Sequence, residues 1–113
     1  MRILVETLMA QMVVSDLERA EEWYTAVFGG QPDARPMDGL IEWQIMGRAG
    51  VQVFEDAARA GRSAMVIATG ELEALARLLT SAGIDAGDPQ AVTVGRVLQL
   101  TDPDGNRLVF TGA

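Results

Sequence analysis

The feature that most constrains the fold is that the two halves of the chain repeat one order of predicted elements. The segments "LERAEEWYTAVF" and "LEALARLLTSA" both carry apolar residues at helical spacing, and a glycine follows each of them. A shift of 55 positions places Leu17-Glu18 on Leu72-Glu73 and Thr25 on Thr80. Chance similarity between two amphipathic helices is the alternative explanation. We therefore predict an α+β chain of two β-α-β-β(-β) modules, covering about residues 1–56 and 62–113 of a single domain.

Each module has predicted boundaries. In the first we expect a strand over residues 4–14, a helix over 17–28 capped by Ser15 or Asp16, and strands near 31–34, 40–46 and 51–54. Residues 56–62 are predicted to link the modules. In the second we expect a strand over 64–68, a helix over 72–82, and strands near 92–101 and 107–111.

The segment "DPDGN" predicts a tight turn between the last two strands. Pro103 fixes its own φ, Gly105 accepts a positive φ, and the Asp and Asn side chains can bond to nearby backbone. The apolar runs on both sides then form an antiparallel pair.

The set of reactive side chains excludes several functions. The chain has no histidine and no cysteine, and all nine basic residues are arginine. Ser-His and Cys-His nucleophiles, lysine Schiff bases, disulfides and Cys/His zinc sites are therefore excluded. A net charge of −7 argues against nucleic acid. This charge either serves solubility or favours a cationic ligand.

Three segments resemble the vicinal oxygen chelate superfamily, which includes glyoxalase I, extradiol dioxygenases and bleomycin-resistance proteins. They are "VVSDLERAEEWYTAVFGG", "GELEALARLLTSAGI" and "TDPDGNRLVF". The resemblance implies a curved, half-open mixed sheet that forms a cleft, with the helices packed outside, and, for small members of this kind, a homodimer. In metal-dependent members the first and last strands of each module supply His, Gln or Glu ligands to a divalent ion. The corresponding positions here are Met9, Val53, Ala64 and Val109, all of them apolar.

The missing ligands favour the metal-free branch of the family. A shift of one residue would turn a strand side chain to the opposite face, so polar replacements must lie two positions away. That search gives Gln11, Glu55 and Arg107, with Thr111 also on the same face. These groups can hydrogen-bond a ligand but make a poor metal site. We therefore predict no metal and no cofactor.

The predicted ligand-binding residues are Met9, Gln11, Trp43, Val53, Glu55, Ala64, Arg107 and Val109. Trp43 could stack on a ligand or fill the core, and Met9, Met12 and Met46 could soften a pocket or fill the core. Glu55 is the candidate for a cationic ligand or for acid–base catalysis, although it could simply be solvated. Arg107 could instead pair with Asp102 or Asp104. Trp23, Tyr24, Phe54 and Phe110 are expected in the core or an interface.

Two main functions follow from this pattern. The first is metal-independent binding of a small organic molecule, for which the acidic charge favours a cation, as in antibiotic sequestration by a homodimer. The second is a metal-free lyase or isomerase that uses Glu55 or Tyr24 as acid or base. A structural or regulatory module with a filled cleft is the third alternative. With no 18-residue apolar span or signal segment we expect no membrane partner and a cytoplasmic location, and the arginine-only, alanine-rich composition is typical of GC-rich bacterial genomes.

Overall fold

The computed structural model describes residues 3–113 and contains two similar units in tandem. The elements are β1 (Leu8–Val14), α1 (Leu17–Phe28), β2 (Ala34–Met37), β3 (Leu40–Met46), β4 (Ala49–Glu55), β5 (Ala64–Ala68), α2 (Leu72–Ser81), β6 (Gln90–Ala91), β7 (Arg96–Thr101) and β8 (Arg107–Gly112), with one 3-10 turn at Ala57–Arg59. Strand, helix and three strands follow one another in both units, whereas the sequence predicted only two strands after the second helix.

Each unit forms a four-stranded mixed sheet. The orders are β1-β4-β3-β2 and β5-β8-β7-β6, and in both the first strand runs parallel to the last. β1 and β5 are therefore edge strands. Neither sheet closes on itself, which confirms the half-open α+β architecture.

The helix ends follow from capping residues. Asp16 is the N-cap of α1, and its side chain accepts a hydrogen bond from the backbone N–H of Arg19 at 3.1 Å. Gly29 ends the helix with φ 78°, in the left-handed region that glycine tolerates best. The prediction for α1 is confirmed, and α2 ends one residue before the predicted boundary.

Three predicted strand boundaries are wrong. Residues 4–7 are not strand, and β2 begins at Ala34 because the preceding residues form a loop. The strand predicted over residues 92–101 is broken: Val92 N–H bonds to the Gly95 carbonyl at 3.1 Å, so a turn separates β6 from β7. Apolar runs alone do not reveal such a turn, because Val92 and Val94 are exposed.

The core lies between each sheet and its helix. One continuous cluster joins Met12, Trp43 and Val53 of the first sheet to Tyr24 of α1. Leu98, Leu108 and Phe110 of the second sheet belong to the same cluster, as do Leu72 and Leu79 of α2. Within residues 3–113, no helix is long and apolar enough to cross a bilayer.

Candidate functional site

The two faces of the first sheet have different chemistry. We call the side that α1 covers the helix face; it carries Met12, Trp43, Val51 and Val53, all of them buried. Strand alternation turns the neighbouring residues to the opposite side, which we call the open face. The open face carries Met9, Gln11, Glu42, Gly50 and Gln52. The open face is therefore the side on which a ligand can approach the first sheet.

Three of the predicted ligand-binding residues lie on the helix face, against the prediction that they line the cleft. Trp43 is 3% exposed, packs against Tyr24 and Phe28, and donates from Nε1 to the Gly30 carbonyl at 2.9 Å. Val53 is fully buried in register with Met12 and Ile41. Trp43 is thus a core residue, the second of the two roles open to it.

Glu55 lies on the same side of β4 as Val53, two residues further along the strand. Its carboxylate accepts a hydrogen bond from the backbone N–H of Leu17 at 2.9 Å, at the first turn of α1. A helix N-terminus attracts negative charge, so this contact stabilises the helix. Glu55 therefore meets the helix end rather than the open face, and its acid–base role stays a prediction.

The other five predicted residues lie on open faces. Met9 and Gln11 belong to β1, while Ala64, Arg107 and Val109 belong to β5 and β8, on the side of the second sheet opposite its core residues. The structure therefore divides these five residues into two groups, one on each sheet.

Pairing of the strands corrects one position in the family pattern. Met9 pairs with Gly50 and Gln11 with Gln52, whereas Ala64 pairs with Arg107 and Val66 with Val109. Because Met9 and Ala64 are equivalent, the counterpart of Val109 is Gln52 rather than Val53. A shift of one residue along β4 thus changes the side chain from a buried valine to a polar amide on the open face.

Two polar residues that sequence reasoning missed, Gln52 and Glu42, complete a hydrogen-bonded row with Gln11 across three strands. Gln11 Nε2 donates to Gln52 Oε1 at 3.2 Å, and Gln52 Nε2 donates to Glu42 Oε2 at 2.5 Å. The signal was the alternation "IEWQI" in β3, which places Glu42 opposite to Trp43. The prediction that Trp43 faces the cleft turned attention away from Glu42, because neighbouring residues of a strand lie on opposite faces.

An apolar groove of about 410 Å³ separates the edge strands β1 and β5. Its walls come from the start of β1, the end of β3, the start of β4 and most of β5, and every lining residue is aliphatic, methionine or glycine. Met9, Met46 and Met65 contribute flexible thioethers to the groove, although Met65 also belongs to the core, whereas Met12 belongs to the core alone. The volume lies within the range typical of small-molecule sites.

The groove closes at one end because the two units are bonded together there. Val13 N–H donates to Ser63 Oγ at 3.2 Å, and the Val13 carbonyl accepts from Gly61 N–H at 3.1 Å. Asn106 Nδ2 donates to the same carbonyl at 2.7 Å. The edge strands are thus tied at this end and separate along the groove.

The donor set does not fit the metal centre that the family resemblance implies. Of the four equivalent positions, Met9, Gln52, Ala64 and Val109, Gln52 alone offers a side-chain oxygen. Across residues 3–113, His, Cys, Asp and Glu side chains form no group of three or more that could hold an ion. One neutral amide is a weak ligand set for a divalent ion.

The fold is the glyoxalase-like α+β fold with a curved, open sheet. A family model described as the Glyoxalase/Bleomycin resistance protein/Dioxygenase superfamily matches residues 6–110. The chain belongs to this superfamily.

Solved structures with the same fold include proteins of different kinds. A glyoxalase/bleomycin resistance protein from Catenulispora acidiphila DSM 44928 superposes with a TM-score of 0.89 at 24% identity, over 96% of this chain and 99% of the other. TnmS3, an antibiotic binding protein from Streptomyces sp. CB03234, superposes with a TM-score of 0.82 at 18% identity, over 99% of this chain and 98% of the other. A lactoylglutathione lyase from Agrobacterium tumefaciens superposes with a TM-score of 0.76 at 17% identity, over 94% of this chain and 92% of the other. No curated protein matches the chain.

Proposed function

We propose that this protein binds a small organic molecule, without a metal ion, in the groove between β1 and β5. The observation that carries the proposal is the groove itself, with its apolar walls and its volume of about 410 Å³. Transfer of a ligand's apolar surface from water into such a site is favourable by about 25 cal/mol per Å². Sequestration of an antibiotic or other natural product fits a groove that offers contact area and few reactive groups.

The chemistry of the open faces supports metal independence. Metal-assisted reactions need an ion to stabilise developing negative charge or to activate a nucleophile. The positions that would hold the ion carry a thioether, a methyl, an isopropyl group and one amide. Binding through shape and hydrogen bonds is what these side chains can perform.

Similarity to an antibiotic binding protein adds support for a binding role. That protein shares the fold over nearly all of both chains. The alternative of a metal-free lyase or isomerase depends on Glu55 or Tyr24. Glu55 contacts the start of α1, and Tyr24 is fully buried with its hydroxyl bonded to Asp102. No observation favours this alternative.

A homodimer is part of the proposal. Leu8, Met46 and Val66, at the rim of the groove, are 69%, 72% and 68% exposed, and Ile3 and Leu4 are almost fully exposed. Leu8, Met46 and Val66 line one groove, and an exposed apolar patch of this kind is typical of interaction sites. Light scattering on the purified protein tests the oligomeric state, and we expect a mass of twice 12.1 kDa. The cytoplasmic location stays a prediction.

Isothermal titration calorimetry with metal-free bleomycin, in buffer containing EDTA, tests the function. We expect saturable binding at one ligand per subunit. Val66→Arg should weaken binding because it places a cation in the groove, whereas Val94→Arg, a change of the same kind at an 88% exposed site, should not. Equal affinity for both variants would contradict the groove as the site.

A further inference from the structure

The row formed by Gln11, Gln52 and Glu42 has a fixed direction. An ionised carboxylate only accepts hydrogen bonds, so Gln52 must present its NH2 group to Glu42. Its carbonyl oxygen then faces Gln11, which must present its own NH2 group in turn. Each N–H donor of the row therefore points toward the Glu42 side, and the side-chain oxygens of the row keep free lone pairs.

The remaining bonding capacity of the row is mainly that of acceptors. The Oε1 atom of Glu42 and the Oε1 atom of Gln11 take no part in the two bonds that link the row. Glu42 and Gln52 are half-buried, and Gln11 is exposed. A half-buried carboxylate with a free oxygen attracts a positively charged donor more strongly than it attracts a neutral one.

Among the residues that the structure describes, Glu42 forms no ion pair with an arginine. Between residues 3 and 113 the ion pairs are Arg35–Glu21, Arg59–Asp56 and Arg96–Glu73, none of which involves the open face. The chain also carries a net charge of −7. The carboxylate of the row is thus available to a cation from outside the chain.

The row continues directly from the groove. Met9, which lines the groove, lies two residues before Gln11 on the same face of β1, and Gly50 lies two residues before Gln52 on β4. Residues two apart on a strand are about 7 Å apart. One small molecule can therefore place an apolar body in the groove and a polar group on the row.

We propose that the row Gln11–Gln52–Glu42 is a subsite that selects ligands carrying a protonated amine, amidine or guanidinium group beside an apolar body. This inference rests on the proposed function, because the groove must hold the apolar part. Glu42 supplies the charge, while Gln52 and Gln11 position the carboxylate and add acceptors. The subsite determines which ligand binds.

The test compares 1-naphthylmethylamine with 1-naphthylmethanol, which share one apolar body and differ in the ammonium group. Affinities come from NMR titrations that follow the methionine methyls of the groove and the side-chain amides of Gln11 and Gln52. Wild-type protein should bind the amine roughly tenfold more tightly, the gain of one charge-assisted hydrogen bond. Glu42→Gln should reduce this ratio to about one and leave the affinity for the alcohol unchanged.

The substitution keeps the row assembled, because the new amide oxygen can still accept from Gln52. Glu22→Gln is the matched control: it makes the same change in charge at an exposed position of α1. Equal affinities in the wild type, or a preference that survives Glu42→Gln, would overturn the subsite and leave the groove intact. Failure of both compounds to bind would overturn the proposed function as well.

Discussion

Tyr24 in the first unit donates a hydrogen bond from its hydroxyl to the carboxylate of Asp102 in the second, at 2.7 Å. Neither residue is more than 3% exposed. Asp102 also accepts from Asn106 Nδ2 at 2.8 Å and from the backbone N–H groups of Asp104 and Asn106. Asn106 in turn binds the Val13 carbonyl and the Ser63 N–H. The turn predicted at "DPDGN" therefore joins the two units and fixes the closed end of the groove.

Removal of the Tyr24 hydroxyl tests this junction. Tyr24→Phe leaves the buried carboxylate with one donor fewer, so we expect a loss of about 1–3 kcal/mol in the free energy of unfolding, measured with urea. Thr25→Val is the control in the same helix, because within the described residues the buried Thr25 hydroxyl has no hydrogen-bond partner. That variant should be neutral or slightly stabilising. An equal loss in both variants would show that the Tyr24–Asp102 bond contributes nothing.

Stability should fall at alkaline pH because of the same residue. Burial, together with the negative charge of Asp102, raises the pKa of Tyr24 far above its usual value near 10. Above pH 10 the unfolded chain loses the phenolic proton and the folded chain keeps it, so stability is complete below that pH and then declines. The expected slope is about 1.4 kcal/mol per pH unit.

Other side chains interfere little with the titration of Tyr24, because the chain has one tyrosine and neither lysine nor cysteine. Phenolate absorbance should remain absent until the protein unfolds, and Tyr24→Phe should remove the decline in stability. Appearance of phenolate in the folded protein near pH 10 would be inconsistent with the buried hydrogen bond.

A substitution at Gly50 tests the close approach of β3 and β4 beside the groove. A Cβ atom at this position would lie 2.4 Å from the Trp43 carbonyl oxygen and 3.0 Å from the Met9 methyl carbon. Gly50→Ala should therefore destabilise the fold by at least about 2 kcal/mol. Gly30→Ala is the control, since nothing lies within 4 Å of its Cβ position and its φ is not positive. Thermal unfolding that places both variants near the wild type would refute the contact.

Metal independence leads to a separate prediction. Mn²⁺, Ni²⁺ and Zn²⁺ should leave the Tm of EDTA-treated protein unchanged, because an ion stabilises a fold only when it binds the native state. Elemental analysis of protein purified without chelator should find no stoichiometric divalent ion. A rise in Tm that saturates with one ion per subunit would require a ligand set other than Met9, Gln52, Ala64 and Val109.

Sequence reasoning predicted the architecture because local signals agree with it. Asp16 and Gly29 mark the ends of α1, and alternation marks β3 and β4. The side of the sheet that faces a ligand was harder to predict, because alternation shows two faces and does not identify the one that a helix covers. The tryptophan in β3 favoured the face that α1 covers.

The register error at Val53 has a related cause. The overlay of the two halves assumed turns of nearly equal length, whereas the pairing of Met9 with Gly50 and of Ala64 with Arg107 requires an offset one residue larger. In a strand, one residue changes the face. The groove could not be predicted from the sequence because it lies between two edge strands from separate units.

Metal-free binding in the groove can be observed by a ¹³C-methyl NMR titration of methionine-labelled protein with metal-free bleomycin and 1-naphthylmethylamine, in the presence of EDTA. Met9, Met46 and Met65 line the groove, while the buried Met12 and the exposed Met37 of β2 serve as internal references. Metal-free binding predicts saturable shifts confined to the three groove methyls. Unchanged spectra with both compounds, or shifts that require an added divalent ion, would refute it.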